Sequence, residues 1–430
     1  MIKTSLANLS LRGLTLVSKF ILILFIARFL TPEELGIWGL IFVTINMSLL
    51  VLGLDFYLFN TRELLARDTV ERAVLIRDQF VFHLIAYTLV LPALLIVFAI
   101  GMIAWKYAVW FYILLVLEHV SQELYRLLIT FSRPVMANFI LFLRTGFWIF
   151  LAIVLAYYSE DLRGLPLFWA CWIGGGVISI VLALYSLRNL EWRAAFKKPV
   201  NREWIKKGIK ISLPFFLSTL SFTGIQFADR YFIQYFHGEG SVGIYTFYAN
   251  IANVIHTFIL SGVIVILYPK LVESFQAGKL EEYRMNMRKM MMGVIAGLII
   301  LPIIAALLID PVLRLVDKEV YADHSNIFYI MMGTVALLTL SYIPHYALFV
   351  RHRDKIIIYS AIAALAVALV ANTLLVPSFE LRGAAFATLS AMGILFVFKV
   401  GAAVYYRKSE DARDNGTDNL IRVNKISRGI

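Results

Sequence analysis

Long apolar runs of about 20 residues or more, separated by short polar connectors, recur along almost the whole chain. A helical run of that length crosses the roughly 30 Å of hydrocarbon in a bilayer. The runs fall at about 10–30, 36–59, 80–104, 107–130, 135–158, 166–187, 208–236, 242–268, 287–309, 325–350, 355–376 and 382–405. They predict an all-α integral membrane protein of roughly twelve transmembrane helices. The most basic connector, RNLEWRAAFKKPVNREWIKK, follows the sixth run and divides the chain near its middle. The expected units are an N-terminal six-helix bundle (1–195), a basic linker (196–207), a C-terminal six-helix bundle (208–405) and a polar tail (406–430).

The two halves resemble each other. FLTPEELGIW (29–38) lies over FHGEGSVGIY (236–245) at an offset of 207 residues, which sets Gly36 on Gly243, Ile37 on Ile244 and Asn46 on Asn253. Six spans per half is an even number, so the halves insert in the same orientation as parallel repeats. After its second span each half carries a stretch that mixes apolar residues with charges of both signs, starting at Asn60 and at Pro269. Both read as interfacial helices, with Asn60 and Glu63 as a helix-start signal in the first.

Composition agrees with a membrane chain: 60% of the 430 residues are hydrophobic, 16% are charged and the mean hydropathy is +0.79. A soluble domain is excluded. The net charge of +12 would suit a nucleic-acid partner, but the bases sit in short connectors and not on one amphipathic face. Their excess on alternate connectors places both termini in the cytoplasm. The first run follows Lys3 and Arg12 with no small-residue cleavage site, so it reads as a spanning helix. Cys171 stands alone, which excludes a disulfide framework and a soft-metal cluster. No phosphate-binding lysine loop, metal-ligand spacing or nucleophile elbow occurs, and neither catalysis nor a cofactor is expected.

Charges inside apolar spans are costly, and they mark function or structural pairing. In the first span Ser5, Asn8, Arg12, Thr15 and Lys19 recur at steps of three and four, a polar stripe. Adding 207 to Ser5, Arg12 and Lys19 gives Ser212, Thr219 and Gln226 in the seventh span, a face continued by Thr223 and Arg230. The two stripes are expected to face a central cavity. Within FADRYFIQYF, Asp229 and Arg230 are neighbours that point about 100° apart on a helix. Arg230 is therefore expected to turn to the cavity with Gln226, and Asp229 to pair with a base on another helix, Arg28 being one candidate; the alternative is a pair of structural ion bridges. Arg144, near mid-span, could grip an anion such as a phosphate through its planar fork or pair with Glu118. Lys399 is expected to snorkel to the cytoplasmic surface. Asp55, Glu118, His119 and Glu123 complete the buried set; Glu123 and Arg126 have the spacing of an internal pair. A carboxylate beside His119 could carry a proton or belong to a packing cluster.

ARFLTPEELGIWGL (27–40), FADRYFIQYFHGEGSVGIYTFYANIANVIHTF (227–258), LYPKLVESF (267–275) and LRGAAFATLSAMG (381–393) resemble segments of the polysaccharide transporter, or lipid-linked oligosaccharide flippase, family. That family shares a superfamily with the multidrug and toxin extrusion carriers. The resemblance implies two six-helix bundles around a V-shaped cavity that opens alternately to either side. Its implied substrate is a polyprenyl-pyrophosphate-linked oligosaccharide, a surface-polysaccharide repeat unit, moved across a bacterial-type cytoplasmic membrane. Polymerase or export machinery would be partners. Lys19, Arg144 and Arg230, with Arg12 and Gln226, fit the pyrophosphate-holding role by position. The runner-up is a proton- or sodium-coupled exporter of small organic cations that uses Asp55, Glu118 and Asp229; either reading allows H+ or Na+ as coupling ion.

Overall fold

The computed structural model describes the backbone of residues 2–427 and the side chains of residues 10–407. Its helices are α1 (Ile2–Phe29), α2 (Pro32–Gly53), α3 (Phe56–Leu65), α4 (Thr69–Ala93), α5 (Leu95–Ala99), α6 (Ala108–Thr130), α7 (Pro134–Phe142), α8 (Trp148–Tyr158), α9 (Leu165–Ser186) and α10 (Trp192–Lys197). They continue with α11 (Arg202–Ile259), α12 (Val265–Gln276), α13 (Leu280–Val316), α14 (Glu319–Ala322), α15 (Asn326–Leu340), α16 (Tyr342–Phe349) and α17 (Asp354–Ser427). Nine described segments are long and apolar enough to span a membrane. Two of those segments hold two spans each. The first breaks at Gly238 (φ 80°) inside α11, and the second at Glu380 (φ 51°) inside α17. With α6, whose apolarity is lowered by Glu118, Glu123 and Arg126, the total is about twelve. The protein is a multi-pass, all-helical membrane protein.

Local chemistry explains where α2 begins. Thr31 accepts from the Glu34 N–H at 3.2 Å while the Glu34 carboxylate accepts from the Thr31 N–H at 3.0 Å, a reciprocal cap, and Pro32 occupies the first turn. The helix ends earlier than the apolar run suggests. Leu54 (φ 46°) and Asp55 (φ 50°) are both left-handed, so the predicted span 36–59 is two helices, α2 and α3, with Asp55 buried at their joint.

The interfacial helices expected after the second and eighth spans are also interrupted. The first stops at Leu65 and restarts at Thr69, where Asp68 caps the Glu71 N–H at 2.8 Å; the second turns between Gln276 and Leu280. Asn60 is no cap. It is buried and donates to Gln79.

The repeat has a physical meaning at its conserved spacing. A Cβ on Gly36 would lie 1.9 Å from the Glu239 carbonyl oxygen, and one on Gly243 would lie 1.9 Å from that of Pro32. Three residues on, a Cβ on Gly39 would meet Thr246 Oγ1 at 2.5 Å. Both pairs are 207 residues apart, so corresponding helices of the two repeats cross face to face, at a distance only glycine permits.

The basic connector is fastened to α4. Arg77 and Asp78 form a buried ion pair; Arg77 donates to the carbonyls of Ala195 (2.7 Å), Pro199 (3.1 Å) and Lys198, and Asp78 accepts from the Asn201 N–H at 3.2 Å. Trp204 then packs on Phe56 and Phe59.

Candidate functional site

Three groups of buried charges emerge. The first joins α1, α6, α9 and a π-helical turn, Leu143–Phe147, inserted between α7 and α8. Arg144 lies in that turn, and Gly146 beside it lets α1 approach so closely that a Cβ would sit 2.9 Å from Ser18 Oγ. Such single π-turns are frequent at functional positions. Glu118 divides its oxygens: Oε1 accepts from Trp172 Nε1 at 2.6 Å and Oε2 lies 3.4 Å from Arg144 Nε. Trp172 is held by stacking on Trp148 at 5.8 Å and by Trp38 at 5.3 Å. Gly175, in the run Gly174–Gly176 of α9, approaches the Leu143 carbonyl, where a Cβ would be 2.7 Å away.

Lys19 is one residue from Ser18, and its nearest charges are Arg144 and Glu118. Among the described residues it makes no ion pair or hydrogen bond. Its side chain is accessible although protein atoms surround it densely, as befits a group lining a wet crevice. Two bases against one acid leave the group with one surplus positive charge. Arg12, exposed on the same stripe, donates to Asn138 Oδ1 at 3.1 Å. Ser5 and Asn8 lie outside the described side chains.

The second group is self-contained and differs from the expectation. Asp229 and Arg230 pair directly, Nη1 to Oδ1 at 2.7 Å, although they are adjacent. The guanidinium curls back far enough to donate also to the Gln226 carbonyl at 2.6 Å, and Asp229 Oδ1 turns to the Arg230 backbone N–H at 2.8 Å. Long, flexible side chains relax the 100° rule that governs Cβ directions. Asp229 Oδ2 accepts from Tyr245 at 2.6 Å and Thr388 at 3.2 Å. Arg28 is not its partner: exposed, it donates to the Leu315 carbonyl at 2.8 Å. Half-buried Gln226 contributes its carbonyl, not its amide, to Arg230.

A third group, between α3, α4 and α6, was only partly foreseen. Glu123 Oε1 accepts from Arg126 at 2.5 Å, and Oε2 accepts from Gln79 at 2.6 Å and lies 3.6 Å from His83 Nε2. His119 Nδ1 meets the Tyr87 hydroxyl at 2.7 Å. The joint residue Asp55 leaves Oδ2 without a hydrogen bond. His83 and Gln79, four residues apart on α4, went unnoticed because single polar residues in an apolar run carry little pattern. Lys399 is buried near His345 and does not reach the surface. Its helix continues past it, so the stem has no short way out.

A sequence profile described as "Polysaccharide biosynthesis protein" matches residues 2–275. The chain belongs to this family. A search of curated proteins by sequence found no match. Among solved structures, an inward-facing multidrug resistance MATE family transporter of the MOP superfamily aligns with TM-score 0.75 and 15% identity, covering 94% of this chain and 99% of that one. The outward-facing conformation of such a transporter aligns with TM-score 0.63 and 16% identity (95% and 96% covered). Lipid II flippase MurJ, inward closed, aligns with TM-score 0.65 and 14% identity (94% and 87%). These likenesses establish that the chain has the fold of such transporters.

Proposed function

We propose that the protein is a flippase for a polyprenyl-pyrophosphate-linked oligosaccharide, a surface-polysaccharide repeat unit, working by alternating access in a cytoplasmic membrane with both termini inside. The observation that carries this reading is the surplus cation of the first group. Lys19 is accessible and unpaired beside Arg144, whose Nη1 lacks a hydrogen-bond partner and whose Nε has only the 3.4 Å ion contact with Glu118. A pyrophosphate brings negative charge and acceptor oxygens, which suit one ammonium and one guanidinium side by side. Glu118, fixed by Trp172, aims Arg144 and limits the positive charge when no substrate is bound. Arg230 serves as a positioning group, since Asp229 already neutralises it.

Alternation requires the Gly36–Gly243 crossing to part on one side of the membrane while the opposite side closes. A gradient of H+ or Na+ supplies the drive, and polymerase or export machinery takes the product.

The multidrug-exporter alternative needs a carboxylate free to hold a cation. Of its three acids, Glu118 and Asp229 are each engaged by a base, and Glu118 also by an indole N–H, which counts against it; Asp55, buried with Oδ2 unbonded, is the one acid that still fits it.

Proteoliposomes carrying a fluorescent polyprenyl-pyrophosphate oligosaccharide test the proposal. Wild type moves the lipid between leaflets, and Lys19→Gln slows it at least tenfold with unchanged insertion and thermal stability. Flipping at the wild-type rate in Lys19→Gln combined with Arg144→Gln removes the site assignment. Failure of wild type to flip, with proton- or sodium-driven uptake of a cationic dye, replaces the function.

A further inference from the structure

Outside the proposed substrate site, the donor atoms of His83, His119 and Glu123 lie within 4.8 Å of one another, and all three residues are buried. We infer that these residues form a binding site for a transition-metal dication of the zinc class, independent of the flippase reading.

Donor chemistry selects the ion. Two imidazoles and one carboxylate suit zinc and its neighbours, whereas alkali and alkaline-earth ions take oxygen cages. His119 Nε2 is buried without a hydrogen-bond partner, whereas His83 turns Nε2 toward Glu123 Oε2 at 3.6 Å and there meets the Gln79 amide nitrogen at 3.3 Å, which must swing aside for that nitrogen to ligate; the two histidines are only 1% and 2% exposed. His119 Nε2 points to the same place as Glu123. A Cβ on Gly53 would lie 3.8 Å from that nitrogen and 3.9 Å from both Glu123 Oε1 and Arg126 Nη1. The bond between Tyr87 and His119 Nδ1 orients the ring; with the proton on Nδ1, Nε2 presents its lone pair.

Arg126 holds Glu123 Oε1 as a hydrogen-bonding partner of a ligating carboxylate does, while Gln79 Nε2 bridges Glu123 Oε2 at 2.6 Å and His83 Nε2 at 3.3 Å and would yield to an ion. A tetrahedral zinc would draw its donors to about 3.4 Å from one another, closing separations now within 4.8 Å by up to about 1.4 Å. Room for a fourth ligand adjoins: a cavity of about 10 Å³, enough for one water, is lined by Asn60, Gln79, Glu123 and Arg126.

The charges around the trio are Asp55 and Glu123 against Arg126, all acting on Tyr57, with Arg126 stacked over its ring at 3.7 Å. With neutral histidines that is one net negative charge. A dication overshoots by one, which a metal-bound hydroxide removes. Bound metal would tie α4 to α6.

The full-length protein, freed of its affinity tag and stripped with a chelator, is titrated with Co2+ and separately with Zn2+. The expected result is one ion per chain, a cobalt visible spectrum of tetrahedral nitrogen–oxygen type, and at least tenfold weaker binding in His119→Gln and in His83→Gln. Unfolding temperature without metal serves as the control for folding. Should both variants fail to fold, the wild-type cobalt spectrum decides alone: its absence, or binding that survives the double variant, overturns the site.

Discussion

Asp229–Arg230 and Glu118–Arg144 are both buried acid–base pairs, yet the second, with Lys19 beside it, leaves more for a ligand. Around Asp229 the carboxylate is fully met within the fold, by Arg230 Nη1, the Arg230 backbone N–H, Tyr245 and Thr388, and Arg230 Nε alone is left without a partner. Around Glu118 one indole and a looser 3.4 Å guanidinium contact satisfy the acid, while Arg144 keeps free donors and Lys19 adds a second base. Burial of charge therefore says little by itself. What distinguishes a holding site from a structural strut is the surplus left after internal pairing.

The largest effect should come from breaking the closed pair. Asp229→Ala strands Arg230 in the interior and removes the acceptor of two hydroxyls, which costs about 3–5 kcal/mol. Thermal unfolding in detergent will register a large drop or loss of folded protein. Survival with wild-type stability would mean that Arg230 finds water or lipid phosphate, and the contrast between the two groups would vanish.

Next in size is Arg144→Gln. It leaves Glu118 with Trp172 alone, so stability should fall by about 1–3 kcal/mol, and lipid flipping should be lost. Adding Glu118→Gln restores a neutral pair. Stability should then recover in the double variant while flipping does not, a split that a purely structural role for Arg144 cannot produce.

Lys19→Gln isolates function from folding, because Lys19 holds nothing in place. Stability should stay within about 0.5 kcal/mol of wild type, as for substitutions away from packed features, while the flipping rate falls at least tenfold. An unchanged rate would make Lys19 a bystander and hand the site to Arg144.

How much of this was legible beforehand follows from how local each signal is. The spans rest on length and apolarity and could be read directly. So could the repeat, and Gly36 and Gly243 turn out to touch because corresponding helices cross at the pseudo-symmetry axis. Lys19 could be placed on a polar stripe by periodicity alone. The π-turn that presents Arg144 leaves no trace in composition, since it rests on how closely α1 meets Gly146 and α9, through Gly175, meets the Leu143 carbonyl. Pairing was misjudged where Cβ directions stood in for side-chain reach, as with Asp229 and Arg28. The left-handed joint at Asp55 was hidden because Leu54 and Asp55 carry no glycine signal. His83 came into view only when α4 packed beside α6.

The smallest test sharpens the comparison most finely. Thr388 on α17 donates to Asp229 at 3.2 Å, the longest of the four bonds that carboxylate receives, and it belongs to a residue far from the pair in sequence. Thr388→Val keeps the shape and removes one donor, so the cost should be about 0.5–1.5 kcal/mol, the net worth of one hydrogen bond. Flipping should be untouched, because Asp229 keeps Arg230 and Tyr245. Trp172→Phe is the matching deletion around Glu118. There the acid loses its shortest bond and retains only the 3.4 Å contact, so Arg144 must move toward it and away from the substrate. Stability and transport measured for both variants should therefore diverge, Thr388→Val altering stability alone and Trp172→Phe altering both. Equal transport in the two would show that the surplus near Glu118 is not what the substrate uses.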